Sequence, residues 1–191
     1  MAYLDEYRAK FDNLRICLDT TNRNQLRRKA NGGNCLLFTY PPTEEEEYIT
    51  KAKEIYNSDE YVFIDVAELF VKYIDQDGWE DFKEYYKDFS TTPHIVFRSD
   101  DDEKDLFDLI MDKINECGLA EKTPILIRTG VLYGTGIENV NIMEDKIVMG
   151  MKHPLIIFYP SEIKDDTLYF LGIKAASKYR CTIVDEINSV D

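Results

Sequence analysis

The chain is poor in the residues that build metal sites and disulfide frameworks. It holds only 2 histidines and 4 cysteines in 191 residues, and Cys17, Cys35, Cys117 and Cys181 lie far apart with no C-x-x-C pair. That spacing suits neither a structural zinc set nor a small disulfide scaffold, so the cysteines are read as reduced, small apolar residues. Positive charge is scarce as well, with 23 Lys and Arg against 37 Asp and Glu and a formal net charge of -14. Neutralising a phosphate backbone needs a cationic face, so the surface as a whole is disfavoured as a nucleic-acid platform. Arg23, Arg27, Arg28 and Lys29 form the one basic cluster; cations at a helix carboxyl end are its first reading and a DNA contact its second. No apolar run reaches the roughly 18 to 20 residues of a membrane span. The start, Met1-Ala2-Tyr3-Leu4-Asp5-Glu6, lacks the basic and apolar segments of a signal peptide. A cytoplasmic protein without membrane contact is expected.

Catalytic signatures are also missing. Gly130-Val131-Leu132-Tyr133-Gly134-Thr135-Gly136 has glycines spaced for backbone amides to approach a phosphate. Neither a Lys-Ser/Thr pair nor a G-x-G-x-x-G opening a helix accompanies them, which makes a weak nucleotide loop. Ser161 stands outside any G-x-S-x-G elbow. Asp65 ends a predicted strand, the edge at which open α/β sheets bind ligands, and Glu68 follows one turn later. A metal there needs a third carboxylate, for which Asp100 to Asp102 are the candidates. His94 and His153 adjoin prolines at predicted strand edges and are read as hydrogen-bonded structural histidines. No catalytic, cofactor-binding or metal-binding residue is assigned, and no cofactor is expected.

What the chain has is apolar and aromatic content, 44% and 13% respectively, enough for one core. His153-Pro154-Leu155-Ile156-Ile157-Phe158-Tyr159-Pro160-Ser161 reads as a strand covered on both faces. Cys35 to Tyr40, Tyr61 to Val66 and Pro124 to Thr129 follow the same pattern. Helical stretches between them imply crossovers, hence a single-domain α/β fold with a mostly parallel central sheet flanked by helices.

Leu4, Tyr7, Phe11, Leu14 and Leu18 give an amphipathic N-terminal helix; Asp19 to Asn24 interrupts it before Gln25 to Ala30 resumes. Residues 1–30 thus form a helical segment packing on an α/β domain of residues 31–185, with 186–191 a frayed tail. Thr43 and Glu46 have capping-box spacing, opening a helix to about Tyr56. Val66 to Ile74 is a helix with Ala67, Phe70, Val71 and Ile74 on one side, and Asp101 to Cys117 another that Gly118 closes. Lys164-Asp165-Asp166-Thr167 is a turn after which Leu168 to Gly172 pairs antiparallel at the sheet edge.

Trp79, Phe82, Tyr85, Tyr86 and Phe89 make an aromatic helical stretch, read first as helix-packing surface and second as a partner-binding patch. With 13 tyrosines and 10 phenylalanines, the chain has aromatics to spare for an interface. Tyr85, Tyr86, Tyr179 and Arg180 are the candidate anchors.

Leu36-Leu37-Phe38-Thr39-Tyr40-Pro41-Pro42, Gly130-Val131, Pro154-Leu155-Ile156-Ile157-Phe158-Tyr159-Pro160, Leu168-Tyr169-Phe170-Leu171-Gly172 and Tyr179-Arg180 together resemble the BrxB family, also called DUF1788. The motif residues are Tyr40, Pro41, Pro42, Gly130, Phe158, Tyr159, Pro160 and Gly172. The chain departs from the family with Ser161 in place of glycine, Asp165-Asp166 in place of D-G, and Asn139-Val140-Asn141 where an Arg-x-His is usual. The resemblance implies a non-enzymatic adaptor in a BREX bacteriophage-exclusion system, acting through protein contacts with a PglZ-type partner. The alternative reading of the residues is a nucleotide- or metal-dependent phosphoester enzyme on a doubly wound sheet.

Overall fold

The computed structural model describes residues 2–99 and 103–185, with side chains from Tyr7 onward. The side chain of Leu4, the carboxylates Asp100 to Asp102 and the tail 186–191 lie outside that description. The element order is α1 (Ala2–Leu18), α2 (Thr20–Lys29), β1 (Cys35–Tyr40), α3 (Glu45–Ile55), β2 (Tyr61–Asp65), α4 (Val66–Asp75), α5 (Trp79–Asp88), α6 (His94–Phe97) and α7 (Leu106–Leu119). Then follow β3 (Thr123–Ile127), α8 (Asn139–Met143), α9 (Lys146–Gly150), β4 (Leu155–Lys164), β5 (Thr167–Phe170), β6 (Lys174–Ala176) and β7 (Cys181–Ile183).

The strand order is β2-β3-β4-β1-β7, all pairs parallel, with β5 and β6 added antiparallel beyond the carboxyl half of β4. β1 and β4 run side by side from Cys35↔Leu155 to Tyr40↔Pro160. Side chains alternate across such strands, and the two sets go to two layers. Leu36, Phe38, Ile125, Ile156 and Phe158 meet α1 and α3 through Phe11, Leu14, Tyr48, Ile49 and Ala52. Leu37, Leu126, Leu155 and Ile157 meet α7, α8 and α9 through Ile110, Ile114, Ile142 and Val148. The chain crosses from β1 to β2 over the α3 face and steps back through β3 to β4 over the other face, so the sheet is doubly wound. Phe38 and Phe158 stack at 4.5 Å in the first layer, and each fully buried side chain of this size contributes about 1.5–3 kcal/mol.

Several local expectations are corrected. The break between α1 and α2 is one residue, Asp19, because its carboxylate accepts from Thr21 N at 2.9 Å and starts the second helix at once. The capping box of Thr43 and Glu46 does not form: Pro42–Glu44 makes a 3-10 turn, α3 opens without a side-chain cap, and Glu46 is drawn to Arg128. β2 is an edge strand and only Ile64 in it is fully buried, so it is not covered on both faces. In α4 the packed side holds Val66, Leu69, Phe70 and Tyr73, while Val71 is exposed.

The helix expected from Asp101 begins at Leu106, capped by an Asp105–Asp108 box, and runs through Gly118 to Leu119. β3 stops at Ile127 because Arg128 takes a left-handed φ of 54° and throws the chain into a 3-10 turn, Thr129–Leu132. Asp165 and Asp166, with φ of 48° and 62°, make the two-residue turn that folds β5 onto β4, as the polar run suggested.

Candidate functional site

β4 positions the site. Alternation sends Ile157 and Tyr159 to the layer opposite Ile156 and Phe158. The β5–β6 hairpin then folds over them, so that Phe170 stacks on Tyr159 at 4.6 Å. The turn after β3 closes the third side, anchored by Thr129 Oγ1, which donates to the Phe158 carbonyl at 2.7 Å. Gly130 lies against Pro160 and Leu171, and the Leu171 amide donates to the Pro160 carbonyl at 2.8 Å. Leu171 and Gly172, with φ of 53° and 71°, form the tight turn that carries β5 into β6. The residues Gly130, Phe158, Tyr159, Pro160 and Gly172 therefore form one block, with Tyr40 paired to Pro160 across β1 and Pro41 and Pro42 leading into the turn before α3.

Beside this block, and reached from it by Tyr159 alone, lies an open-mouthed cavity of about 250 Å³. Leu132, Ile137, Ile142, Ile157 and Phe170 line its walls; Tyr133, Gly134, Glu138, Lys174 and Ala175 stand exposed at its mouth. Lys174 Nζ pairs with Glu138 Oε1 at 2.6 Å across that mouth. Asn139 is buried and donates to the Ser177 carbonyl at 2.7 Å. Tyr159 is only 5% exposed, and its hydroxyl meets no hydrogen-bond partner among the described residues. Burial, with Glu138 and Cys181 nearby, pushes its phenol up from the ordinary tyrosine range, so the hydroxyl stays protonated. The cavity can shelter an apolar group and present one hydroxyl to it. Its one carboxylate and one lysine are spent on each other.

The carboxyl edge of the sheet carries the charges. Asp65 Oδ1 caps α4 by accepting from Ala67 N at 3.0 Å and Glu68 N at 3.3 Å. Its other oxygen accepts from Arg128, which also pairs with Glu46 at 3.0 Å. Both oxygens of Asp65 are thus engaged, and among the described residues no group of three His, Cys, Asp or Glu side chains is placed to hold a metal ion. Lys10 reaches the same edge from α1, donating to the Thr39 carbonyl at 3.0 Å and to Asp185 at 2.8 Å. Neither Arg128 nor Lys10 was singled out from the sequence. Lys10 left a signal, three residues after Tyr7 and four before Leu14, inside the apolar arc; the bend at Arg128 left none.

The other candidates scatter. Phe82 and Tyr86 turn inward, Tyr86 packing on Phe82 and Phe97 at 6.1 and 6.0 Å, while Trp79 and Tyr85 are 57% and 42% exposed. Tyr179 is exposed in the loop before β7, with the Arg180 guanidinium 5.3 Å from its ring. No ring contact or hydrogen bond joins this pair to Tyr85 or Tyr86 among the described residues. Arg27 donates to the Met149 carbonyl at 3.0 Å and so satisfies the carboxyl end of α9, while Arg23 donates to the Lys152 carbonyl in the loop that follows it. Arg28 and Lys29 remain exposed. The rings of His94 and His153 make no hydrogen bond among the described residues, a correction to their expected role. His94 lies exposed at the start of α6, and burial beside Arg23 and Lys152 lowers the His153 pKa. No helix of the described residues is long and apolar enough to cross a membrane. No known protein family, curated protein or solved structure matches the chain.

Proposed function

We propose that the protein is a non-enzymatic adaptor of a BREX-type bacteriophage-exclusion system, working in the cytoplasm by contact with a PglZ-type protein. The observation that carries this reading is the division of α5: Phe82 and Tyr86 pack inward, whereas Trp79 and Tyr85 keep 57% and 42% of their surface exposed. Large aromatics left in water are favoured interface anchors. The BrxB-like motif residues support the same reading, because they form one contiguous block instead of a scatter of loops. The phosphoester-enzyme alternative loses its leading residue, since Asp65 is committed to the α4 cap and to Arg128. Co-expression with a PglZ-type protein followed by affinity purification tests the proposal, and stoichiometric recovery of the pair is the expected result.

A further inference from the structure

The cavity under the β5–β6 hairpin is left unused by the adaptor reading. At about 250 Å³ it has room for a single aromatic ring, since an engineered cavity of roughly 150 Å³ takes up benzene. Leu132, Ile137, Ile142 and Ile157 give it an apolar wall on which a ring can bury its faces. The rings of Tyr159, Phe170 and Tyr133 follow one another at 4.6 and 6.4 Å between centroids, floor to mouth. That series supplies the faces and edges against which another ring packs. Of the polar side chains in the lining, Thr129, Asn139, Glu138 and Lys174 are each engaged with a partner; the Tyr159 hydroxyl, on a side chain only 5% exposed, has none among the described residues. Its oxygen is not among the atoms sealed away without a partner, so it opens to the cavity and can hydrogen-bond a guest atom there.

We propose that this cavity binds a single aromatic ring carrying one hydrogen-bonding group, of phenol or indole size. Tyr159 holds the polar atom, and the Lys174–Glu138 pair marks the entrance. The ring comes either from a free small molecule or from a tyrosine or tryptophan side chain of a bound protein. The chemistry is the same, and the inference stands independently of the adaptor reading.

The test titrates the full chain with phenol, indole and benzene, and separately with N-acetyl-tyrosinamide and N-acetyl-tryptophanamide, following isoleucine methyl resonances by NMR. Saturable binding is expected, with the methyls of Ile142 and Ile157 shifting. Tyr159→Phe, which keeps the ring and removes the hydroxyl, weakens phenol about fivefold and leaves benzene unchanged. Ala176→Phe, which fills the cavity, abolishes binding of every ring. Binding of the free rings alone assigns a small-molecule ligand, and binding of the amides as well assigns a side chain. Absence of saturable binding by any probe at millimolar concentration, or binding that neither variant alters, overturns the proposal.

Discussion

Arg128 and Asp65 face each other across the carboxyl ends of neighbouring strands, the guanidinium donating to the one carboxylate oxygen that the α4 cap leaves over. Arg128 holds this position with a left-handed φ of 54°, a conformation that costs a residue with a Cβ about 1–2 kcal/mol. Replacing the side chain separates the two effects. Arg128→Ala and Arg128→Gly both lose the ion pair, but glycine removes the backbone strain. Thermal unfolding is expected to show Arg128→Gly as the more stable of the two by about 1 kcal/mol; the reverse order would mean that this bend is unstrained.

The middle of β4 carries both layers. Ile156 is 0% exposed in the α1–α3 layer and Ile157 is 2% exposed in the other. Truncation of either to alanine is expected to lower stability by about 2–5 kcal/mol in chemical denaturation. Losses below about 0.5 kcal/mol for both would take β4 out of the core.

Two glycines should respond oppositely to alanine. A Cβ on Gly33 would collide with the Arg180 backbone, whereas one on Gly150, in α9, meets nothing within 4 Å. Gly33→Ala is expected to destabilise strongly, since neither backbone can yield. Gly150→Ala should be neutral or stabilising by about 0.5–1 kcal/mol through helix propensity. Melting temperatures of the two variants decide the matter, and equal values would contradict the close approach of the turn after α2 to the backbone just before β7.

All four cysteines are buried and unbridged. Burial pushes the Cys17 thiol up to about 12, so little thiolate exists at pH 8 and alkylation waits on opening of the fold. Native protein is expected to resist iodoacetamide at that pH and to take up 4 equivalents once unfolded in guanidinium. Rapid native labelling of Cys17 would mean that α1 does not stay docked on β1.

The layers were legible because they depend on local repetition. The α1 stripe, the apolar runs of β1 and β4 and the Asp165–Asp166 turn each follow from neighbouring residues. What failed depends on distant ones. Tyr61 to Ile64 reads like a central strand, but its place at the edge is set by where α3 delivers the chain. Thr43 and Glu46 have cap spacing, yet Arg128, 82 residues from Glu46, competes for that carboxylate. The cavity draws its walls from segments between Pro93 and Ala176. The glycines of the 130–136 loop, Tyr159 of the Phe158-Tyr159-Pro160 motif and Phe170 of the Leu168 to Gly172 motif marked its position in advance.

The most direct test of the adaptor reading is a quantitative pull-down of a PglZ-type protein by the wild-type chain and by Tyr85→Ala, Trp79→Ala and Tyr179→Ala. Each variant must first match the wild-type melting temperature. Tyr86→Ala is the contrasting variant, expected to lower that temperature because its ring packs on Phe97. Tyr85→Ala or Trp79→Ala is expected to weaken capture by about 1–3 kcal/mol, with only modest loss in high salt, as apolar anchors require. Failure of the wild-type chain to retain any defence component, together with DNA binding that falls steeply with salt and is lost in Arg28→Glu, would contradict the account.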